Sequence, residues 1–348
     1  MNFYYSIYSK AFLVLIGWKR FFSLNLNLNP NTMKITFYAT FFFFFLANTT
    51  LFAQNNCNDP QAKNTGEKGT CEYPRTKKSL KRVAKLDPII KETSGLIEWD
   101  GSLWTINDSG GEPVVYRFDP ETGKITQEVR VENGKNVDWE EIAQDENHIY
   151  IGDFGNNLGY RKDLSIFKIK KSDITSKDKN ISVKVEKTTF YYPQQKNFTR
   201  RNKQHNFDCE AFFYHNNQFH LLSKNWKDSK TYHYTVDATT GHHEAILQDS
   251  FDVKGLITGA DINENGTIVL VGYTPMRLFM WILSNYKEEK IFTGNCRRIE
   301  LGYFFCRGQM EGICFSKGMT GYISAEGFKY KKQNIRKFDL NQWIKKDQ

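Results

Sequence analysis

The sequence predicts an all-β chain folded as a five-bladed β-propeller and closed by an N-terminal strand. Three observations carry this reading. A short phrase recurs five times: Ser94-Gly95-Leu96-Ile97, Glu140-Glu141-Ile142-Ala143, Glu210-Ala211-Phe212-Phe213, Thr258-Gly259-Ala260-Asp261 and Glu311-Gly312-Ile313-Cys314. Each copy opens with an oxygen-bearing side chain and is followed, about ten positions on, by a second β-like run. Those runs are Leu103-Trp104, Ile149-Tyr150-Ile151, Phe219-His220-Leu221, Ile268-Val269-Leu270 and Gly321-Tyr322-Ile323. The copies recur at roughly 40–50 residues, the period of propeller blades.

The chain ahead of the blades reads differently. Met33-Lys34, a Phe-rich run from Phe41 to Leu46 and a small residue at Ala53 give a basic start, an apolar stretch and a cleavage point. Residues 1–53 are therefore expected as an N-terminal extension and signal peptide, with Met33 as the start, which makes the protein exported, periplasmic or extracellular. A membrane anchor is the rival reading, but the apolar stretch is short against the ~20 residues of a span. Removing 1–53 takes four basic residues and no acid, lowering the formal net charge from +9 to +5. That balance does not argue for nucleic acid, and no membrane partner is expected after signal removal. Residues 54–78, polar and poor in aliphatics, are expected as a flexible lead-in.

Six cysteines follow in an oxidising compartment. Cys57 with Cys71, and Cys296 with Cys306, are spaced to close loops. Cys209 and Cys314 lie inside the repeated phrases as buried thiols. No Cys-x-x-Cys pair supports a zinc site.

Residues 79–348 are expected as one propeller domain and as a monomer. Blade one runs from Ser94 to Val131, with a turn at Asp119-Pro120-Glu121-Thr122-Gly123. Blade two runs from Glu140 to Tyr192 and blade three from Glu210 to Val253, with a similar turn at Asp237 to Gly241. Blade four spans Thr258 to Leu301 and blade five Glu311 to Leu340. Blade five is one strand short, and Leu80–Leu86 is a spare strand that closes the ring and covers its edge. The alternative is six blades, with one hidden in 160–207.

If each phrase begins the innermost strand of its blade, Ser94, Glu140, Glu210, Thr258 and Glu311 face one another around the channel. Carboxylates in one narrow channel repel and take up protons unless a cation lies among them. Oxygen-only donors around a ring suit calcium, Ca2+, with water, Asp261 or Glu141 completing the shell. The alternative is that these side chains hydrogen-bond to backbone at the channel mouth. The second run of each blade returns to the same face, bringing Asn107, Asp108, Asp153, Lys224, Tyr273 and Glu326. Loops containing Arg161 and Arg200-Arg201 also reach that face. Acids, a metal and arginines on one face suit a phosphate-bearing ligand. Asp108 and Asp153 are then the candidates for positioning or deprotonating water, although both also sit in ordinary turn sequence. Other catalytic signatures (a nucleophile elbow, a Walker loop, His-Glu-x-x-His, a dinucleotide fingerprint) do not occur. His242-His243 lies in the outer turn region of blade three.

The pattern resembles the calcium-activated nucleotidase (apyrase) family of five-bladed propellers. Its inner strands open with Ser, Glu, Glu, Ser and Glu, against Ser94, Glu140, Glu210, Thr258 and Glu311 here. Leu103 to Gly110 with Val115-Tyr116, and Trp139 to Ala143 with Ile149 to Gly152, carry most of the likeness, and Lys224 falls where the family has a basic residue. The resemblance implies a central calcium and hydrolysis of phosphoester or phosphoanhydride substrates such as nucleotides. Asn107 and Tyr273 depart from the family's Asp and Lys. The chain also resembles, more loosely, the SdiA-regulated and phytase-like exported bacterial propellers. A non-catalytic propeller binding a glycan or a protein partner is the alternative function.

Overall fold

Five small sheets, antiparallel but for an added parallel edge strand in three of them and each opening at one of the repeated phrases, form the ring in the computed structural model, which describes residues 56–175, 178–327 and 331–344. The signal-peptide reading lies outside the described residues. Two short strands come first, β1 (Thr76–Lys77) and β2 (Lys81–Lys85). Blade one is β3 (Thr93–Trp99), β4 (Ser102–Asn107), β5 (Val114–Phe118) and β6 (Ile125–Val131). Blade two is β7 (Trp139–Gln144), β8 (His148–Asp153), β9 (Ser165–Lys170) and, after β10 (Asn180–Val183), β11 (Glu186–Tyr191). Blade three is β12 (Cys209–His215), β13 (Gln218–Ser223), β14 (Thr231–Asp237) and, after β15 (His242–Glu244), β16 (Ile246–Phe251). Blade four is β17 (Leu256–Ile262), β18 (Ile268–Tyr273), β19 (Arg277–Ser284) and β20 (Asn295–Tyr303); blade five is β21 (Met310–Phe315), β22 (Thr320–Ala325) and β23 (Asn334–Asp339).

The spare N-terminal strand does close the ring: β2 pairs antiparallel with β23, Lys81 opposite Lys337 and Lys85 opposite Asn334. The region 160–207 holds no sixth blade. It supplies the outer strands of blade two and β10, which pairs in parallel with β6 of blade one. The His242-His243 segment likewise crosses over as β15 to extend blade two along β11. These exchanges cover sheet edges that would otherwise present unpaired backbone.

The alternation within each strand gives every blade two apolar faces, and these pack as five clusters, one per seam between neighbouring blades. Trp104, Trp139, Phe212, Phe279 and Phe338 are among the largest side chains wholly buried there. Residues 56–78 are not a loose lead-in. Cys57 and Cys71 are disulfide-bonded, β1 pairs with β20, and Arg75 forms an ion pair with Glu300 at 2.9 Å. A cross-link stands in for a core that so polar a stretch lacks. Cys296 and Cys306 are not bonded; Cys296 Sγ lies against the carbonyls of Phe292 and Gly294, and Cys306 is exposed. No helix among the described residues is long and apolar enough to cross a membrane.

All five inner strands carry a break in register at the repeated phrase: after Ser94, at Glu140, at Glu210, at Thr258 and after Met310. A β-bulge adds a residue, frees backbone groups and re-aims side chains. The freed groups are answered locally. Ser94 Oγ donates to the carbonyl of Glu140, Thr258 Oγ1 donates to that of Met310 at 2.6 Å, and Thr105 Oγ1 donates to that of Gly95 at 2.8 Å. Glu141, wholly buried, does the most. Its carboxylate accepts the N–H groups of Leu96 (3.2 Å), Ile142 (3.1 Å) and Ala260 (3.1 Å), joining blades one, two and four across the channel. Gly95 makes room: its φ is +68°, and a Cβ there would lie 2.4 Å from Glu141 Oε1.

Glu141→Ala orphans these three donors, each costing about 1–3 kcal/mol when buried without a partner. It is expected to lower unfolding stability by about 3–5 kcal/mol in a denaturant titration, with Glu141→Gln costing less because one oxygen still accepts. An unchanged midpoint for the alanine variant would mean that the carboxylate does not tie the blades.

Candidate functional site

Strand direction places the start of every inner strand, and the end of every second strand, at one mouth of the channel. Asp108 follows the end of β4, and Asp138 and Glu140 sit at the entry to β7. One carboxylate oxygen from each lies within 4.8 Å of the others. This acidic triad, from adjacent blades, can hold a metal ion. Asn136 sets its geometry. Its amide donates to the carbonyls of Asn107 (2.9 Å) and Asp108 (3.0 Å), and its oxygen accepts the N–H of Trp139 (3.1 Å). Gly155 leaves the space open, since a Cβ there would fall 2.1 Å from Glu140 Oε1 and 2.5 Å from Asp138 Oδ2.

The donor chemistry fits a hard cation: three carboxylates, no nitrogen or sulfur. Burial raises the carboxyl of Asp138 to about 7, assisted by Asp108 and Asp208. It also raises Asp108, and pushes Glu140 well up together with Glu210, Asp108 and Asp138. Groups held this way bind either protons or a cation.

The ring expected around the channel is divided by the structure into three parts. Glu140 joins the triad. Glu210 is ion-paired with Lys224 Nζ, whose ammonium also lies 4.8 Å from the ring of Trp226 and 5.4 Å from that of Tyr273. Burial opposes the Lys224 charge, yet Glu210, then Tyr273, Glu311 and Asp208, hold its amine above the ordinary value. Lys224 is thus an internal cation among the acids. Glu311 accepts from the Gln309 amide and couples to Glu326 and Lys224. Ser94 and Thr258 give their hydroxyl protons to backbone carbonyls, as the backbone alternative expected. Glu141 and Asp261 are occupied likewise, Asp261 by the N–H of Phe315 at 2.7 Å.

The remaining residues fall on either side of this division. Glu326 is raised to about 8, by burial first and then by Asp108, Glu210 and Glu92, with Lys224 opposing. Asn107 donates to the carbonyl of Ile89 at 2.8 Å, and its Oδ1 is buried without a partner. Asp153 and Arg161 are paired with each other at 3.0 Å; Arg161 also binds Asp163 and the Gly155 carbonyl, and Asp153 accepts the Asp138 N–H. Neither is free to act on water or phosphate, so they position the loop behind the triad. Arg200 is exposed, and Arg201 donates to the Asn197 carbonyl at 3.1 Å. Their loop packs on the 155–161 loop through Arg201 N to Leu158 O (2.8 Å) and Lys203 N to Asn157 O (3.0 Å). Lys203 Nζ lies 4.2 Å from the Trp226 ring, on which Lys224 also sits.

Sequence reasoning missed Asp138, Asn136, Asp208, Gln309 and Trp226. Three of these had a signal: Asp138-Trp139-Glu140, Asp208-Cys209-Glu210 and Gln309-Met310-Glu311 repeat a polar residue two positions ahead of each glutamate. Asp208 is wholly buried, accepting the Asn156 N–H (2.7 Å) and the Trp226 indole (2.6 Å).

No protein-family model matches this chain. No curated protein matches it either. Among solved structures, the chain is similar to the PQQ-bound form of an aldose sugar dehydrogenase from Streptomyces coelicolor, at 12% identity over 75% of this chain and 97% of that one, TM-score 0.41. It is similar to regucalcin, a calcium-binding protein from Agrobacterium tumefaciens, at 11% identity over 76% and 95%, TM-score 0.39. A gluconolactonase from Xanthomonas campestris gives 9% identity over 70% and 71%, TM-score 0.39. Likeness at this level is silent on activity, and the five sheets themselves establish the propeller. The resemblance to calcium-activated nucleotidases reaches as far as that five-bladed ring.

Carboxyls raised in the folded state keep protons that the unfolded chain, titrating near 4, has lost. Between about pH 4.5 and 8 the folded protein therefore binds more protons, and this contribution to stability falls as pH rises through the raised values. In chelator, Asp138→Asn should flatten the loss of stability between pH 5 and pH 8 relative to the wild type. A steeper loss in the variant would show that Asp138 is not held protonated.

Proposed function

We propose that this protein is an exported propeller that holds a calcium ion on Asp108, Asp138 and Glu140, and that it binds, and hydrolyses, a small phosphorylated ligand at that mouth. The convergence of three partly or wholly buried carboxylates from two blades carries the reading. Three carboxylates offer up to six oxygens, and calcium takes 6–8, so water and a ligand oxygen complete the shell. The Cys57–Cys71 disulfide supports an oxidising compartment.

When bound, the ion would neutralise charge on a phosphate and polarise its oxygens. The chain's own groups do the rest. Asp108, on a turn at the rim, is the carboxylate placed to orient water. Glu326, protonated at neutral pH, offers a hydrogen to a phosphate oxygen. Lys224 lowers the repulsion that Glu210 and Glu311 would exert on an anion. Lys203, Arg200 and Arg201 form the outer basic side. The locking of Arg161 onto Asp153 favours a second reading, a propeller that binds a glycan or protein on this face without hydrolysis.

Calcium is expected to raise the melting temperature of the wild type. Asp138→Asn and Glu140→Gln should each lose most of that gain, whereas Glu210→Gln, whose partner is Lys224, should keep most of it. Equal gains in all four proteins would place the ion elsewhere. Calcium-dependent phosphate release from nucleoside diphosphates or phytate is expected, falling at least tenfold in Asp108→Asn; no release above blank with calcium present would remove the enzyme and leave the binding module.

A further inference from the structure

The strand that closes the ring brings like charges together. In blade five, β2 and β23 pair so that Lys81 stands opposite Lys337 and Arg82 opposite Arg336. Residues directly opposite in an antiparallel pair share one face of the sheet, and like charges there are destabilising. Ile335 packs in the seam toward blade one and Phe338 in the seam toward blade four, so alternation turns Arg336, and Arg82 with it, toward blade four. A third guanidinium comes from that side. Arg307, on the turn Phe304–Arg307 between β20 and β21, donates through Nη2 to Ser79 Oγ at 2.9 Å and through Nη1 to the Leu80 carbonyl at 3.5 Å. Arg336 Nη1 donates to the same carbonyl at 3.0 Å. One backbone oxygen thus holds two guanidinium groups side by side, and the strand register adds Arg82.

No carboxylate answers them. The chain carries six basic residues and no acid between Glu72 and Asp87, and no acid from Leu301 to Met310 or from Gly327 to Phe338. Arg75 is taken by Glu300 at 2.9 Å, and Arg277 shares that carboxylate. Among the described residues, Lys81, Arg82, Arg307, Arg336 and Lys337 make no hydrogen bond or ion pair to an acid. Arg336 is half-buried, and its Nε is buried with nothing to accept its hydrogen. Burial, then Arg307 and Arg82, pull its guanidinium down to about 10, still charged at neutral pH. Lysines along an edge strand serve by themselves to keep that edge in solution. Three arginines from three segments, gathered at a seam with a donor left over, do more: they cost stability unless an anion lies among them.

The donor set selects the anion. A guanidinium presents paired N–H groups that match two oxygens of a phosphate. The forks from β2, β23 and the β20–β21 turn approach from different directions. A tetrahedral group offers an oxygen to each, where a planar carboxylate offers two in one plane and chloride a single centre. We infer that Arg82, Arg307 and Arg336 form a binding site for a tetrahedral oxyanion, a phosphate or sulfate group, at the seam between blades four and five, with Lys81 and Lys337 at its rim. The bound group ties β2 and β23 to the blade-four side and so locks the closure of the ring. The site lies on the two outermost strands of blade five, away from the inner strand β21, and is separate from the acidic mouth.

The test uses the full chain, freed of divalent ions on a chelating resin so that no calcium at the mouth recruits phosphate. Thermal unfolding is followed in phosphate or in sulfate at low millimolar concentration, with ionic strength fixed by chloride, because at high concentration both salts stabilise proteins by exclusion from the surface. Each is expected to raise the melting temperature, acetate giving no rise, and the tighter of the two names the group. In chloride, Arg82→Gln should be at least as stable as the wild type, because the like-charge pair is gone. In phosphate it should lose the gain, with affinity by titration calorimetry down at least fivefold. Arg336→Lys keeps the charge and loses the fork, and the same loss of affinity is expected. Should Arg336→Lys fail to fold, Arg82→Gln decides alone, since Arg82 is exposed and holds no other group. Arg200→Gln, at the channel mouth, should respond like the wild type. No rise over chloride, an undiminished rise in Arg82→Gln, or a rise lost in Arg200→Gln instead would overturn the inference.

Discussion

A bulge at the head of each inner strand is the constraint from which the rest of the structure follows. Without it, each inner strand would run on with its pleat intact, and the phrase residues would alternate between the seams. With it, one extra residue per blade turns into the channel, and backbone N–H and C=O groups lose their ladder partners. Those groups are buried and must be answered. Ser94 and Thr258 answer two carbonyls, and Glu141 answers three N–H groups from three blades. In two of the five phrases the recurring oxygen-bearing side chain is thus first a device for closing the inner ring.

The same device concentrates charge. Glu140, Glu210, Glu311, Asp108, Asp138 and Glu326 come together, and Lys224 is the cation buried among them. One ammonium cannot balance that many carboxylates. The excess is met by protons or by a bound ion, and the two compete for the same oxygens. Lys224 sits on the Glu210 side, so the unbalanced charge lies with Asp108, Asp138 and Glu140. That asymmetry turns a ring of five expected donors into a site of three on one side of the channel.

Much of this was legible in the residues. The recurrence of the phrase and its trailing strand located every blade, and a missing strand in blade five together with Leu80–Leu86 located the closure. Glu140 and Asp108 were read as parts of one site from their positions relative to the phrases. Asp138 falls outside that reading because the recurring phrase begins at the glutamate, although a polar residue stands two positions ahead in three blades. Asp153 and Arg161 read as a catalytic acid and a phosphate ligand, but only eight residues separate them, and a loop that short turns them onto each other.

Local sequence determined which segments are strands, where they bulge and which blade each belongs to, because those properties rest on side-chain alternation and turn chemistry within a few residues. Tertiary structure decided who answers whom. Whether a glutamate in the channel meets a backbone amide or two other acids depends on atoms brought in from other blades at distances of a few ångströms. Asn136 clamping Asp108 to the β7 entry, and Glu141 accepting the Ala260 N–H, are contacts between blades whose spacing along the chain carries no information about their meeting.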